Sequence, residues 1–101
     1  MAKGYVFCLT NEAFPDLVRV VTSATLTPDQ YKDTLYSHFL TTPYKVQCAK
    51  FVENANMVLL SVVNEILKRG TRVVGKEQTF QVPLDYVQSI FRTIDGEDVL
   101  V

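Results

Sequence analysis

A chain of 101 residues is the length of one domain, and its 48% apolar and 21% charged residues are ordinary for a soluble globular protein. Ten basic against eleven acidic residues leave a net charge of −1, which excludes a chain-wide basic surface of the kind that neutralises nucleic-acid phosphates, though not a local patch. The longest apolar run, Met57 to Leu60, is far too short to span a bilayer, so no membrane association is expected.

Met1-Ala2-Lys3 leads directly into a short strand rather than into a secretory leader, so an intracellular location, or packaging inside a particle, is expected. Gly4 to Thr10 is predicted as the first strand, its β-branched and aromatic residues ending at Asn11. Asn11 to Asp16, with Pro15, forms the turn, and Leu17 to Thr22 returns as an antiparallel partner. Thr27-Pro28-Asp29-Gln30 then starts a helix: Thr27 caps the free amides, Pro28 suits the first helical position and Gln30 completes a capping box. That helix is predicted to run to about Leu40, with Tyr31, Leu35 and Phe39 on its buried stripe.

Pro43 breaks this helix, and Tyr44 to Phe51 alternates as a third strand. A second helix is predicted from Asn54 or Ala55 to Arg69, stopped by Gly70, with Lys68 and Arg69 complementing the negative end of its dipole. Gln78 to Val82 reads as a short fourth strand, and Pro83 opens a last helix whose stripe is Leu84, Val87, Ile90, Phe91 and Ile94. Asp95-Gly96-Glu97-Asp98 reads as polar, so residues 96–101 are set apart as a tail on a domain over residues 1–95. The order β-β-α-β-α-β-α predicts an α+β fold, a small antiparallel sheet of three or four strands flanked by three helices.

On the second helix, Val58, Leu59, Leu60, Val62, Val63, Ile66 and Leu67 cover an arc of roughly 200° at 100° per residue, leaving Ser61, Asn64, Glu65 and Lys68 as a narrow polar strip. A helix sandwiched between the sheet and another helix explains the excess; an apolar face kept for a partner is the alternative. Cys8 and Cys48 lie in apolar, strand-like runs and read as free buried thiols, with a bridge as the alternative. His38 is the single histidine, read as a helix-surface or packing residue. With no CxxC, no HxxxH and no carboxylate cluster at metal spacing, neither a metal nor a cofactor is expected.

The stretch Gly4-Tyr5-Val6-Phe7-Cys8-Leu9-Thr10-Asn11, followed by Leu17-Val18-Arg19-Val20-Val21-Thr22, resembles the opening strands of the GIY-YIG endonuclease superfamily. The likeness is to its phage and large-DNA-virus branch, which typically begins GYVYVLSN…PGLVKIGKT. That resemblance implies the same β-β-α-β-α-β-α arrangement and metal-assisted phosphodiester hydrolysis. In the family, hairpin tyrosines activate water, a helix arginine holds the phosphate and a glutamate holds the cation. Position by position, those groups are replaced. The first motif tyrosine falls at Phe7, and the second motif falls at Arg19-Val20-Val21, with Val21 where glycine is normal. The helix arginine falls at Tyr31, and the metal-binding glutamate and its following histidine fall at Leu60 and Asn64. Thr79-Phe80 is a partial match to a later aromatic pair.

The expectation is therefore a catalytically inactive GIY-YIG-like domain. It would act as a protein-binding or structural module, a viral accessory or virion-associated protein, through a protein partner or self-association. One alternative is a non-cleaving DNA-binding module using Arg19, Lys32, Lys45, Lys68, Arg69, Arg72 and Lys76 as its positive face. A further alternative is a divergent metal-dependent endonuclease relying on Tyr5, Arg19, Lys32 and Glu65.

Overall fold

Val6, Phe7, Cys8 and Leu9 form an unbroken apolar run, the pattern of a strand covered on both faces. In the computed structural model, which describes residues 3–25, 27, 30–31, 44–73 and 78–99, all four are at 0% exposure. They lie in β1 (Gly4–Asn11), which has β2 (Phe14–Ser23) on one side and β3 (Lys45–Val52) on the other, both antiparallel. Helix α1 (Ala55–Ile66) follows, then β4 (Thr71–Arg72), β5 (Thr79–Gln81), α2 (Leu84–Thr93) and β6 (Glu97–Asp98).

The sheet has six strands in the order β4-β5-β2-β1-β3-β6, all antiparallel. This corrects the expected fold of three or four strands flanked by three helices: there are six strands, and two helices among the described residues. The additional strands are two-residue edge pieces, Thr71–Arg72 against Gln81 and Phe80, and Glu97–Asp98 against Phe51 and Lys50. Two residues carry no readable alternation, so only the partner strand reveals them. Lys50 secures β6 through an ion pair with Asp98 at 2.6 Å.

The capping box at Thr27 forms as predicted. The Gln30 amide donates to Thr27 Oγ1 at 3.3 Å, and the Thr27 amide donates to Gln30 Oε1 at 3.0 Å. Tyr31 N then donates to the Thr27 carbonyl at 2.9 Å. The rest of the helix expected through Leu40, including Lys32, Leu35, His38 and Phe39, lies outside the described residues.

Alternation sorts β1 onto two cores. Val6 and Cys8 join Val18, Val20, Val52 and Phe80 beneath the helices, which contribute Val62, Val63 and Ile66 from α1 and Val87, Ile90 and Phe91 from α2. Phe7 and Leu9 point the other way, into a smaller cluster with Val21, Val46 and Ala49 that Tyr5, Tyr31, Tyr44 and Val99 partly cover. Register along β1 and β3 slips once: Cys8 faces Cys48, but Leu9 faces Val46, so Gln47 is the extra residue of a bulge. Its amide Nε2 donates to Thr10 Oγ1 at 2.8 Å across the strands.

Asn54 caps α1 by accepting from the Met57 amide at 3.3 Å. The helix closes earlier than the predicted Arg69, because Lys68 and Arg69 donate to the carbonyls of Glu65 and Ile66, three residues back. Gly70 ends that tightened turn, its amide donating to the Ile66 carbonyl at 2.8 Å. Here the chain runs against the end of β5. A Cβ at Gly70 would stand 2.7 Å from Val82 Cβ and 2.8 Å from the Gln81 carbonyl oxygen.

Gly70→Ala is accordingly expected to cost about 1–3 kcal/mol through forced displacement of backbone. Thermal unfolding should show this as a fall in Tm of about 4–8 °C per kcal/mol lost. An unchanged Tm would mean the contact relaxes freely.

Candidate functional site

The hairpin sets the geometry around the positions singled out by sequence. Phe7 on β1 and Val21 on β2 are directly opposed cross-strand neighbours, both buried. Tyr31 places its ring edge-on to Phe7, with centroids 5.3 Å apart and planes at 74°. Three of the positions aligned by the resemblance therefore meet, and what they build is a packed apolar cluster. Tyr5, the nearest hydroxyl-bearing residue along β1, is edge-on to Phe51 across the β1–β3 pair at 5.0 Å.

Arg19 lies two residues before Val21 and so shares its sheet face, half-buried opposite Leu9 and Thr79. Its Nε has no hydrogen-bond partner among the described residues, and neither has Oε1 of Gln78, the residue before Thr79. Gln78 adopts φ 58, and its carbonyl accepts from the Val20 amide at 2.9 Å. Leu60 and Asn64 stand apart from all of these. Both are exposed on α1, which covers the opposite face of the sheet. The six positions singled out by the resemblance thus split: Phe7, Val21, Tyr31 and Arg19 on one face, Leu60 and Asn64 beyond the other.

Carboxylates are dispersed. Glu65 Oε1 accepts from Lys68 Nζ at 3.0 Å, while its backbone carbonyl accepts from the Tyr86 hydroxyl, tying α1 to α2. Glu53 pairs with Lys3 at 3.7 Å. Among the described residues, no three His, Cys, Asp or Glu side chains gather as metal ligands would.

The basic candidates are also divided. Lys68, Arg69 and Arg72 come together just beyond α1, with Arg69 over the Tyr86 ring at 5.2 Å and Arg72 over Phe80 at 5.5 Å. The hydrogen bond that Lys68 donates to the Glu65 carboxylate holds its ammonium above the ordinary pKa. Lys45 is exposed on β3, Arg19 lies on the far sheet face, and Lys32 and Lys76 are outside the described residues.

Two features were under-read in the sequence. Met57, Leu60 and Leu67 remain 65%, 64% and 44% exposed along the outer side of α1, although Val58 and Leu59 are drawn into the core. The arc of apolar residues signalled this, but packing against α2 accounts for only part of it. Second, Cys8 and Cys48 are directly opposed across β1 and β3, both free. Cys48 lines an open groove of about 340 Å³ with Gln47, Lys50, Gln88 and Arg92. Its hydrogen bond with Cys8, reinforced by burial, pushes the Cys8 thiol far above its ordinary range, so Cys8 stays protonated.

Among the described residues, no helix is long and apolar enough to cross a membrane. Compared with known proteins, the chain matches no family model, no curated protein and no solved structure.

A hydroxyl introduced at Phe7 should find no partner in the apolar cluster. Phe7→Tyr is expected to lower stability by about 1–3 kcal/mol in denaturant titrations, whereas an open polar cleft would tolerate it. Thiol labelling of the native protein should modify Cys48 first, with Cys8 reacting only on unfolding. Equal rates at the two positions would contradict the burial and hydrogen bonding described.

Proposed function

We propose that this protein is a non-catalytic interaction module that docks another protein chain on the outer face of α1. The observation that carries this is the exposure of Met57 and Leu60, at 65% and 64%, on a helix whose other side is fully engaged with the sheet and α2. Large apolar side chains exposed together along a helix are a common means of recognising a partner.

The apolar cluster at Phe7, Val21 and Tyr31 supports a role without phosphodiester hydrolysis. If the opening hairpin descends from a GIY-YIG endonuclease, the descent has exchanged a water-activating tyrosine and a phosphate-binding arginine for side chains that pack on each other. A viral accessory or virion-associated role belongs to that same line of descent. The non-cleaving DNA-binding alternative draws less support. The basic residues divide among surfaces: Lys68, Arg69 and Arg72 follow α1, Lys45 is on β3, and Arg19 is on the face of the sheet away from α1.

The test compares immobilised wild-type protein with a Met57→Glu/Leu60→Glu double variant. A partner retained by the wild type, identified and then re-measured as a purified pair, should bind the double variant about tenfold or more weakly. Identical sets of retained proteins, or none from either bait together with no self-association of the wild type, would overturn the proposal. Cleavage of plasmid DNA with magnesium or manganese by the purified wild type would overturn the non-catalytic part.

A further inference from the structure

Resting on the interface reading above, we infer that the outer face of α1 pairs with the same face of a second copy of this chain, antiparallel about a two-fold axis. The outward stripe is Met57, Leu60, Asn64 and Leu67, all exposed. Its spacings are three, four and three residues, an order that reads the same from either end. When two such helices lie antiparallel, Met57 of one copy comes opposite Leu67 of the other, and Leu60 comes opposite Asn64. The two-fold operation then generates each relation twice. That register meets the self-complementarity an isologous interface requires, and the charges at the two ends of α1 favour a second copy as its occupant.

The charges obey the same operation. Exposed Glu53 precedes the start of α1, while exposed Lys68 follows its end, with Arg69 and Arg72 beyond. Antiparallel apposition brings the acidic end of each copy to the basic end of the other and opposes the two helix dipoles favourably. A parallel arrangement sets like ends together. Within one copy Glu53 faces Lys3 and Lys68 faces Glu65, but both are exposed surface pairs that exchange partners at little cost.

The size of the face sets the strength. A helix of 12 residues rises about 18 Å, so one helix pair lies at the small end of protein interfaces, below about 1,200 Å² in total. The dimer should accordingly be reversible, with a dissociation constant in the micromolar range or weaker, about 10⁻⁶ M or above.

Sedimentation equilibrium on the full chain, from about 10 μM to about 1 mM, should show a monomer–dimer equilibrium. Leu60 lies next to the axis and is lost twice per dimer, so Leu60→Glu should weaken association on the order of 100-fold. Its exposed position leaves the fold intact, which an unchanged thermal melt verifies. Glu53→Lys and Lys68→Glu should each weaken self-association several-fold, yet an equimolar mixture of these two variants should dimerise better than either alone. Each cross-copy contact in that mixed pair again joins opposite charges. A wild type that stays monomeric throughout, a dimer indifferent to Leu60→Glu, or a mixture no tighter than its components overturns the symmetric pairing. None of these outcomes overturns docking on α1 itself, which falls only if the wild type neither self-associates nor retains a partner that the Met57→Glu/Leu60→Glu bait loses. Stripe-dependent capture by a monomeric wild type would instead assign the face to a different protein.

Discussion

Burial of β1 on both of its faces is the constraint from which the rest of the molecule follows. Val6 and Cys8 require a cover on one side, Phe7 and Leu9 on the other, and the strand itself needs hydrogen-bonding neighbours along both edges. Each large apolar side chain so placed contributes about 1.5–3 kcal/mol relative to exposure. The two helices provide the first cover, while Tyr5, Tyr31, Tyr44 and Val99 flank the second. In this setting Phe7 is interior in every direction. A polar, water-handling group at that position would have to be desolvated among Val21, Val46, Ala49 and the edge-on Tyr31 ring.

Helix α1 divides its labour by face. Val62, Val63 and Ile66 belong to the larger core, and the carbonyl of Glu65 receives the Tyr86 hydroxyl from α2. These attachments fix the helix on the sheet while its outer ridge carries Met57, Leu60 and Leu67 into solvent. The ridge therefore stands on a rigid base, which limits the ordering cost of engaging a partner. The cationic residues just past the helix are likewise braced by aromatic rings rather than loosely displayed.

Local chemistry was the legible part of the sequence. The capping box of Thr27 and Gln30 and the stripe of α2 rest on contacts within a few residues and formed where their patterns stood, and the hairpin paired as expected except that β2 begins at Phe14, inside the turn expected over Asn11 to Asp16. What failed to show were relations over long separations. The edge strands exist because Thr71 meets Gln81 and Glu97 meets Phe51, and neither pair announces itself by composition. The same limit applies to the site. Periodicity does not tell which face of the sheet a helix covers, so Leu60 and Asn64 could be aligned with Phe7 and Tyr31 in a motif while lying across the sheet from them. No local pattern announced the approach of Phe7 to Tyr31. Exposure of the α1 ridge was half-legible: the arc was too wide, but its width alone did not say which residues α2 would cover.

The bulge at Gln47 has a consequence for how β3 can change. Strict alternation would put Val46 and Ala49 on opposite sides, yet both reach the smaller core because one extra residue intervenes. The strand thus has two halves of opposite parity, joined at a single hinge of phase. Residues beyond Cys48 could tolerate no shift without turning their apolar side outward, and those before Val46 are equally fixed in the other sense. Loss or gain of one residue at Gln47 is therefore not a small edit to a loop-like irregularity; it exchanges inside for outside along half a strand.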